Sequence, residues 1–270
     1  MNPLIILKIA GYTAVDELRG RGFAVLTGLS ILAIIFMRGC FGGEVTINGQ
    51  QQSAAELGWH LSFIAYHLIS VIGMVMAILI SMRLFVHDNS AGSAVNILSG
   101  AINRREYIIG KCAGVWFLSS LFMVLLHFTV FIIVLLNVNG SVPGFMTASL
   151  ISTLNVLVIT LAVLALSMVS SDIVAALFAI IMISVSFISD TANIVFSSGA
   201  LRHFMPQADA AAIALWRVLW PKIGNLQFGA VSMMQSGQLD VLINSALNLL
   251  AYAVIFGLLL DWKFRSVEIR

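Results

Sequence analysis

Residues 88–111, DNSAGSAVNILSGAINRREYIIGK, lie between two long apolar runs, and no other polar stretch in the first half of the chain also reads as a helix. Ala91, Ala94, Leu98 and Ala101, with Val95 and Ile102 beside them, recur at the three- and four-residue steps of one helical face. Asn89, Ser90, Asn96 and Asn103 lie largely off that stripe, and Arg104-Arg105-Glu106 follow at once. A helix this short cannot span a bilayer and is too polar to disappear into one. It has to lie at the membrane surface or against a partner, and the apolar runs on either side read as membrane spans that meet at this break.

The bulk composition agrees. The 270 residues are 60% hydrophobic and 10% charged, with a mean hydropathy of +1.03. A soluble domain carries about 25% charged residues, so this chain cannot cover its surface against water and reads as an integral membrane protein. A formal net charge of +2 is too small to imply nucleic acid. Cys40 and Cys112 fall on opposite sides of the membrane in the topology below and have no metal-binding spacing, so neither a disulfide within the chain nor a metal site is expected.

The expected fold is all-α, a single transmembrane domain over residues 1–270. In residues 4–15 an apolar stripe of Ile5, Ile9, Tyr12 and Val15 precedes the charges Asp16, Glu17, Arg19 and Arg21. That order is the reverse of a signal peptide's and fits an interfacial helix leading into the first span. Six spans are expected at about 23–37, 59–82, 112–136, 145–168, 173–188 and 241–260. The first is short against the roughly 20 residues a crossing needs. Within the last outer loop, residues 208–220 (ADAAAIALWRVLW) read as a short re-entrant or interfacial helix that stops before Pro221, with Trp216 and Trp220 at headgroup depth.

Orientation follows from Lys and Arg. With both termini inside, Lys8, Arg19, Arg21, Arg83, Arg104, Arg105, Lys111, Lys263, Arg265 and Arg270 are cytoplasmic; Arg38, Arg202, Arg217 and Lys222 are outside. This is the positive-inside pattern.

Leu98-Ser99-Gly100 has the look of an ATP-binding-cassette signature. That signature belongs to a domain with a phosphate loop, G-x-x-x-x-G-K-[ST], and the single Gly-Lys pair here, Gly110-Lys111, is followed by Cys112. The chain itself has no such ATP site. Nor does it carry an Asp-rich metal pair, H-E-x-x-H or G-x-S-x-G, and its acids sit almost entirely at membrane edges and loops, so no enzyme activity is expected.

The same segment, read as G-[ST]-x-x-x-[IL]-L-S followed by x-R-x-E-Y-x-x-G-K, resembles the cytoplasmic loop of type-2 ABC transporter permeases. Gly92-Ser93, Ile97-Leu98-Ser99, the Arg104-Arg105 pair, Glu106-Tyr107 and Gly110-Lys111 carry the match. The resemblance extends over the whole chain as an arrangement, from the lead helix ending in Asp16-Glu17-Leu18-Arg19 to the short helix in the last outer loop. Many family members have a proline around Gly100-Ala101, which this chain lacks.

The resemblance implies a coupling helix, about residues 89–103, that docks into a groove on a separate ATPase subunit. Gly92, Ser93, Ala94, Ile97, Leu98 and Ala101 would form its contact, and Arg104, Arg105 and Glu106 its rim ion pairs. Ser171 and Asp172, in the tight turn between spans four and five, would make a second, smaller contact. It further implies two ATPase copies that bind the ATP and Mg, a homodimer of permease chains in membrane lipid, location in a bacterial cytoplasmic (inner) membrane, and export as the commoner direction. Similar chains include permeases that serve the maturation of copper enzymes.

Other readings stay open. The 89–103 helix also reads as a surface helix on lipid headgroups, with Arg104 and Arg105 as positive-inside anchors, and residues 170–172 equally as a plain capped turn. His67, His127 and Asn155 are polar groups within the spans, which mark substrate paths by default; a neutral histidine also simply bonds a neighbouring helix. Gly110 and Gly114 form a G-x-x-x-G that permits close helix packing. The rival from another class is an ion-gradient-driven secondary transporter, which wants broken helices and buried carboxylates.

Overall fold

The computed structural model describes residues 1–40, 46–47, 50–51, 54–90, 102–138, 144–197, 220–236 and 240–266. Among them are eight helices, α1 (Pro3–Leu18), α2 (Arg21–Cys40), α3 (Ala54–Ser90), α4 (Arg104–Val138), α5 (Phe145–Ser167), α6 (Asp172–Ser197), α7 (Ile223–Ser236) and α8 (Asp240–Ser266). A two-residue antiparallel ladder pairs β1 (Thr46–Ile47) with β2 (Gln50–Gln51), Thr46 opposite Gln51.

Among the described residues, five stretches are long and apolar enough to cross a membrane: His60–Met82, Arg104–Leu136, Phe145–Ser167, Asp172–Ala192 and Leu242–Phe264. They overlap the second to sixth expected spans, and those in α4, α6 and α8 run longer. The expected first span differs. Phe23–Phe36 reaches span length and hydropathy only together with Pro3–Leu18, which it meets at 67°. The break falls at Gly20, whose amide donates to the Glu17 carbonyl at 3.0 Å. A Cβ on Gly20 would come within 2.9 Å of that oxygen.

α5 is the axis of the bundle. It packs against α3, α4, α6, α7 and α8, and Ala148, Val156, Val158, Ile159, Ala162 and Val163 along it are fully buried. A helix apolar all round belongs inside. It begins at Gly144, whose φ of 78° is the left-handed conformation that glycine adopts without a Cβ penalty. Leu29, Phe36, Ile173, Leu177, Val254 and Leu258 point outward from α2, α6 and α8. Continuous apolar exteriors of this kind are stable against hydrocarbon rather than water.

α1 was expected to lie in the membrane interface with Ile5, Ile9, Tyr12 and Val15 as its apolar stripe. Of that stripe Ile9 is buried, together with Thr13, while Tyr12 and Val15 are exposed. Asn2 caps it by accepting from the Leu4 amide at 3.1 Å, and Pro3 occupies its first turn, where its missing N–H costs nothing. The buried face rests on Gly110 and Gly114 of α4. A Cβ on Gly110 would lie 2.7 Å from the Ile9 Cβ, and one on Gly114 2.7 Å from the Ala10 carbonyl oxygen. The G-x-x-x-G is therefore the seat of the lead helix. α2 continues along the second half of α4, with Phe23 against Phe122 at 5.7 Å between ring centroids. A groove of about 420 Å³ lies farther along, between Ile31, Ile34 and Ile35 and the Leu126–Leu136 side of α4.

Candidate functional site

Of the expected coupling residues, Gly92, Ser93, Ala94, Ile97, Leu98 and Ala101 lie outside the described residues. The described part begins at Ile102, and two of its first three charges, Arg105 and Glu106, hold α4 to its neighbours. Asn103 stands before α4 and Glu106 three residues on, the spacing of a capping box. Glu106 Oε2 accepts from the Asn103 amide at 3.3 Å, while Oε1 accepts from the Asn2 amide at 2.6 Å and lies 3.9 Å from the Met1 amino group. The side chain is buried, so one carboxylate closes both the start of α4 and the start of α1. Arg105 Nε lies 3.3 Å from Asp261 Oδ1 on α8, and Tyr107 packs on Phe264 of the same helix. Arg104 is exposed. These contacts bring residues 1–2, 102–107 and 261–264 to one end of the bundle.

Ser171 is exposed and Asp172 half-buried in the first turn of α6, where a negative charge complements the helix dipole. The neighbouring Ser170 hydroxyl donates back to the Leu166 carbonyl at 2.9 Å, closing α5 rather than opening α6.

The intramembrane residues are linked through two helices. His127 on α4 is fully buried. Its Nε2 faces the Tyr66 carbonyl oxygen at 3.2 Å, which can only accept, so Nε2 carries the proton and Nδ1 accepts from the Ser149 hydroxyl at 2.8 Å. Its ring stacks on Tyr66 at 5.0 Å, and the Tyr66 hydroxyl donates to the Ala148 carbonyl and bonds Ser152. His127 is thus a satisfied tie between α3, α4 and α5. His67, the next residue on α3, meets Phe63 at 4.5 Å and Phe228 of α7 at 5.1 Å, and neither of its ring nitrogens has a partner. Asn155 Nδ2 donates to the Ile223 carbonyl at 3.2 Å, at the start of α7, and Asn155 Oδ1 is left over. The structure therefore places His127 beside His67 across Tyr66, and joins both His67 and Asn155 to α7.

Sequence reasoning did not anticipate α7. The expected helix at 208–220 lies outside the described residues, except for Trp220. A buried short helix comes directly after it. Met182, Ser186 and Asp190 recur every four residues on one face of α6 and receive the start of α7 in order. Trp220 Nε1 donates to the Met182 carbonyl at 3.2 Å, Gly224 N to Ser186 Oγ at 3.1 Å and Asn225 N to Asp190 Oδ2 at 2.7 Å. Lys222 N donates to Asn248 Oδ1 of α8 at 3.0 Å. α7 therefore runs in the direction of α6 and returns as α8. At 14 residues it is about 21 Å long by its rise, too short for a crossing of about 30 Å. Its first amides, which have no partner within a helix, are met by side chains of the bundle. Asp190 is 4% exposed, a buried carboxylate where the acids were expected at membrane edges. Gln227, one turn past Ile223, is fully buried with both amide atoms unpaired. Buried polar groups in native structures are nearly always partnered by protein or water, so His67, Asn155 and Gln227 mark α7 as the polar interior of the bundle.

Among the described residues no group of three His, Cys, Asp or Glu side chains is arranged to hold a metal ion. In comparisons with known proteins, no family model matches the chain and no curated protein matches it.

Replacing His127 by leucine is expected to lower stability by about 1–3 kcal/mol, because Ser149 loses its acceptor and Tyr66 its stacked ring. Glutamine, which keeps a donor and an acceptor, is expected to recover part of the loss. Thermal unfolding in detergent checks both, and an unchanged leucine variant would show that the histidine is no tie.

Proposed function

We propose that this chain is the membrane-spanning subunit of a type-2 ABC transporter, an exporter driven by a separate ATPase. The observation that carries the reading is how the coupling segment would be joined to the bundle. Residues 91–101 lead directly into Glu106 and Arg105, which hold α1 and α8 against the start of α4. A displacement of the segment by a partner would therefore move α1, α4 and α8 together. Six spans follow when α1 and α2 count as one broken crossing, with both termini cytoplasmic. Two permease copies would work with two ATPase copies, which bind the ATP and Mg. Gly92, Ser93, Ala94, Ile97, Leu98, Ala101, Arg104, Arg105 and Glu106 would form the coupling site, with Ser171 and Asp172 as a second contact. His67, His127 and Asn155 would line or support the substrate path around α7. Service to the maturation of a metalloenzyme is the variant of this reading in which the exported cargo supplies that enzyme.

The test is co-purification of an ATPase from mild detergent, read by mass spectrometry. Arg105→Glu is expected to reduce ATPase recovery at least severalfold. The same change also sets a carboxylate against Asp261, so the double variant Arg105→Glu/Asp261→Arg is the control. Recovery that stays low in the double variant supports direct docking; full restoration assigns the effect to the internal pair, and an unchanged single variant removes Arg105 from the docking surface.

α7 and Asp190 favour a second reading, a carrier driven by an ion gradient. Half-helices that start inside a bundle and buried carboxylates are the parts such carriers use. Deleting the ATPase abolishes transport in the first reading and leaves it intact in the second, whereas a protonophore does the reverse.

A further inference from the structure

A groove of about 520 Å³ runs down the outside of the bundle between α4, α5 and α8. On α4 it is lined by Arg105, Ile108, Ile109, Cys112, Ala113 and Trp116, one continuous helical stripe. Leu157 and Leu161 of α5 form its floor, and Gly257 and Leu258 of α8 its far wall. Both floor residues lie within the Phe145–Ser167 span, so the groove is at hydrocarbon depth. Along α4 it extends about 16 Å, by the rise of 1.5 Å per residue. That is close to one leaflet, half of a hydrocarbon core about 30 Å thick.

The groove is apolar along its length and polar at its ends. The inner end is stopped by Trp116, whose indole donates to the Thr153 carbonyl at 3.0 Å. At the mouth, Arg105 uses Nε for Asp261, while the side chain remains 55% exposed. A guanidinium has five donors and matches phosphate geometry. Met1 and Asp261 line the mouth as well, and with Arg104 and Lys263 at the same end the cations there outnumber the two acids, Glu106 and Asp261. The groove is open beside Gly257, where a Cβ would meet nothing within 4 Å.

We propose that this groove binds one acyl chain of an anionic phospholipid, with the headgroup phosphate on Arg105 and the chain against Gly257. The length of one leaflet, the apolar walls and the cation at the interfacial end select that occupant over a soluble ligand. Which leaflet supplies it rests on the orientation proposed above, and the binding does not.

Bromine-labelled acyl chains quench tryptophan at contact, and Trp116 sits where the chain would end. The full-length protein is reconstituted in vesicles containing brominated phosphatidylglycerol or brominated phosphatidylcholine at equal mole fraction. The Trp116 contribution is the difference from Trp116→Phe. Quenching of that component is expected to be at least twofold stronger with phosphatidylglycerol. Arg105→Gln is expected to erase the headgroup preference, and Gly257→Phe, which fills the open space, to erase the quenching itself. Equal quenching by the two lipids in the unaltered protein overturns the proposal. So does an efficient disulfide between copies in Gly257→Cys, which would seat a second copy in the groove. Should Gly257→Phe fail to fold, the unaltered protein and Arg105→Gln still decide.

Discussion

Leucine in place of Gly114 is expected to unseat α1 from α4 and produce one of the two largest losses of stability in the molecule. The Cβ alone would stand 2.7 Å from the Ala10 carbonyl oxygen and 2.8 Å from the Thr13 Cβ. The first of these is backbone, which cannot swing away as a side-chain end can. Overpacking of a tight contact costs about 1–3 kcal/mol when neighbours adjust, and here the adjustment available is withdrawal of the whole helix. Withdrawal would in turn break the 2.6 Å bond from the Asn2 amide to Glu106 and leave that carboxylate with its local cap. Gly114→Ala is expected to show a smaller effect in the same direction, and Gly11→Ala, where a Cβ meets nothing within 4 Å, almost none. The check is thermal unfolding in detergent together with hydrogen exchange of the α1 amides. Unaltered melting in Gly114→Leu would mean that α1 does not sit on α4 as described.

The same pair of glycines shows what was legible in the sequence and what was not. Their spacing announced a close helix contact, yet nothing in the sequence named the partner, because α1 comes from about a hundred residues away. The long apolar runs pointed to the five helices that are long and apolar enough to cross a membrane, because continuous hydropathy is a local property. The start of α4 was expected at residue 112 and lies at Arg104, since Tyr107, Ile108 and Glu106 are buried against protein rather than lipid. α7 escaped notice for a related reason. Its sequence, IGNLQFGAVSMMQS, is too short and too polar to read as membrane-embedded, and its place inside comes from α6 and α8 meeting its first amides. His127 and Asn155 stood out as polar groups in spans. Gln227 did not, because the helix that buries it was not foreseen.

Alanine at position 190 is expected to be about as damaging as leucine at 114, and more local. Asp190 Oδ2 accepts from Asn225 N at 2.7 Å and from Ser186 Oγ at 3.3 Å, and the carboxylate lies 2.8 Å from where a Gly224 Cβ would stand. A hydrogen bond to a charged group contributes about 1.5–3 kcal/mol, and an amide left unpaired in a buried site adds its own penalty. The negative charge also sits at the N-terminal end of α7, the end where the helix dipole favours it. Asp190→Asn keeps an acceptor for Asn225 and loses the charge, so it is expected to retain about half of the stability that alanine removes. Ser186→Ala, which strips the Gly224 amide and the Pro221 carbonyl of their partner, is expected to fall between the two. The measurement is hydrogen exchange of the α7 amides alongside thermal unfolding. Exchange accelerated at residues 223–226 and unchanged in α3 would locate the damage at this joint, and it would show α7 to be held by its first turn. Equal protection in Asp190→Ala and the unaltered protein would mean that the carboxylate is there for another purpose, and the gradient-driven reading would then gain weight, because buried carboxylates are among the parts such carriers use.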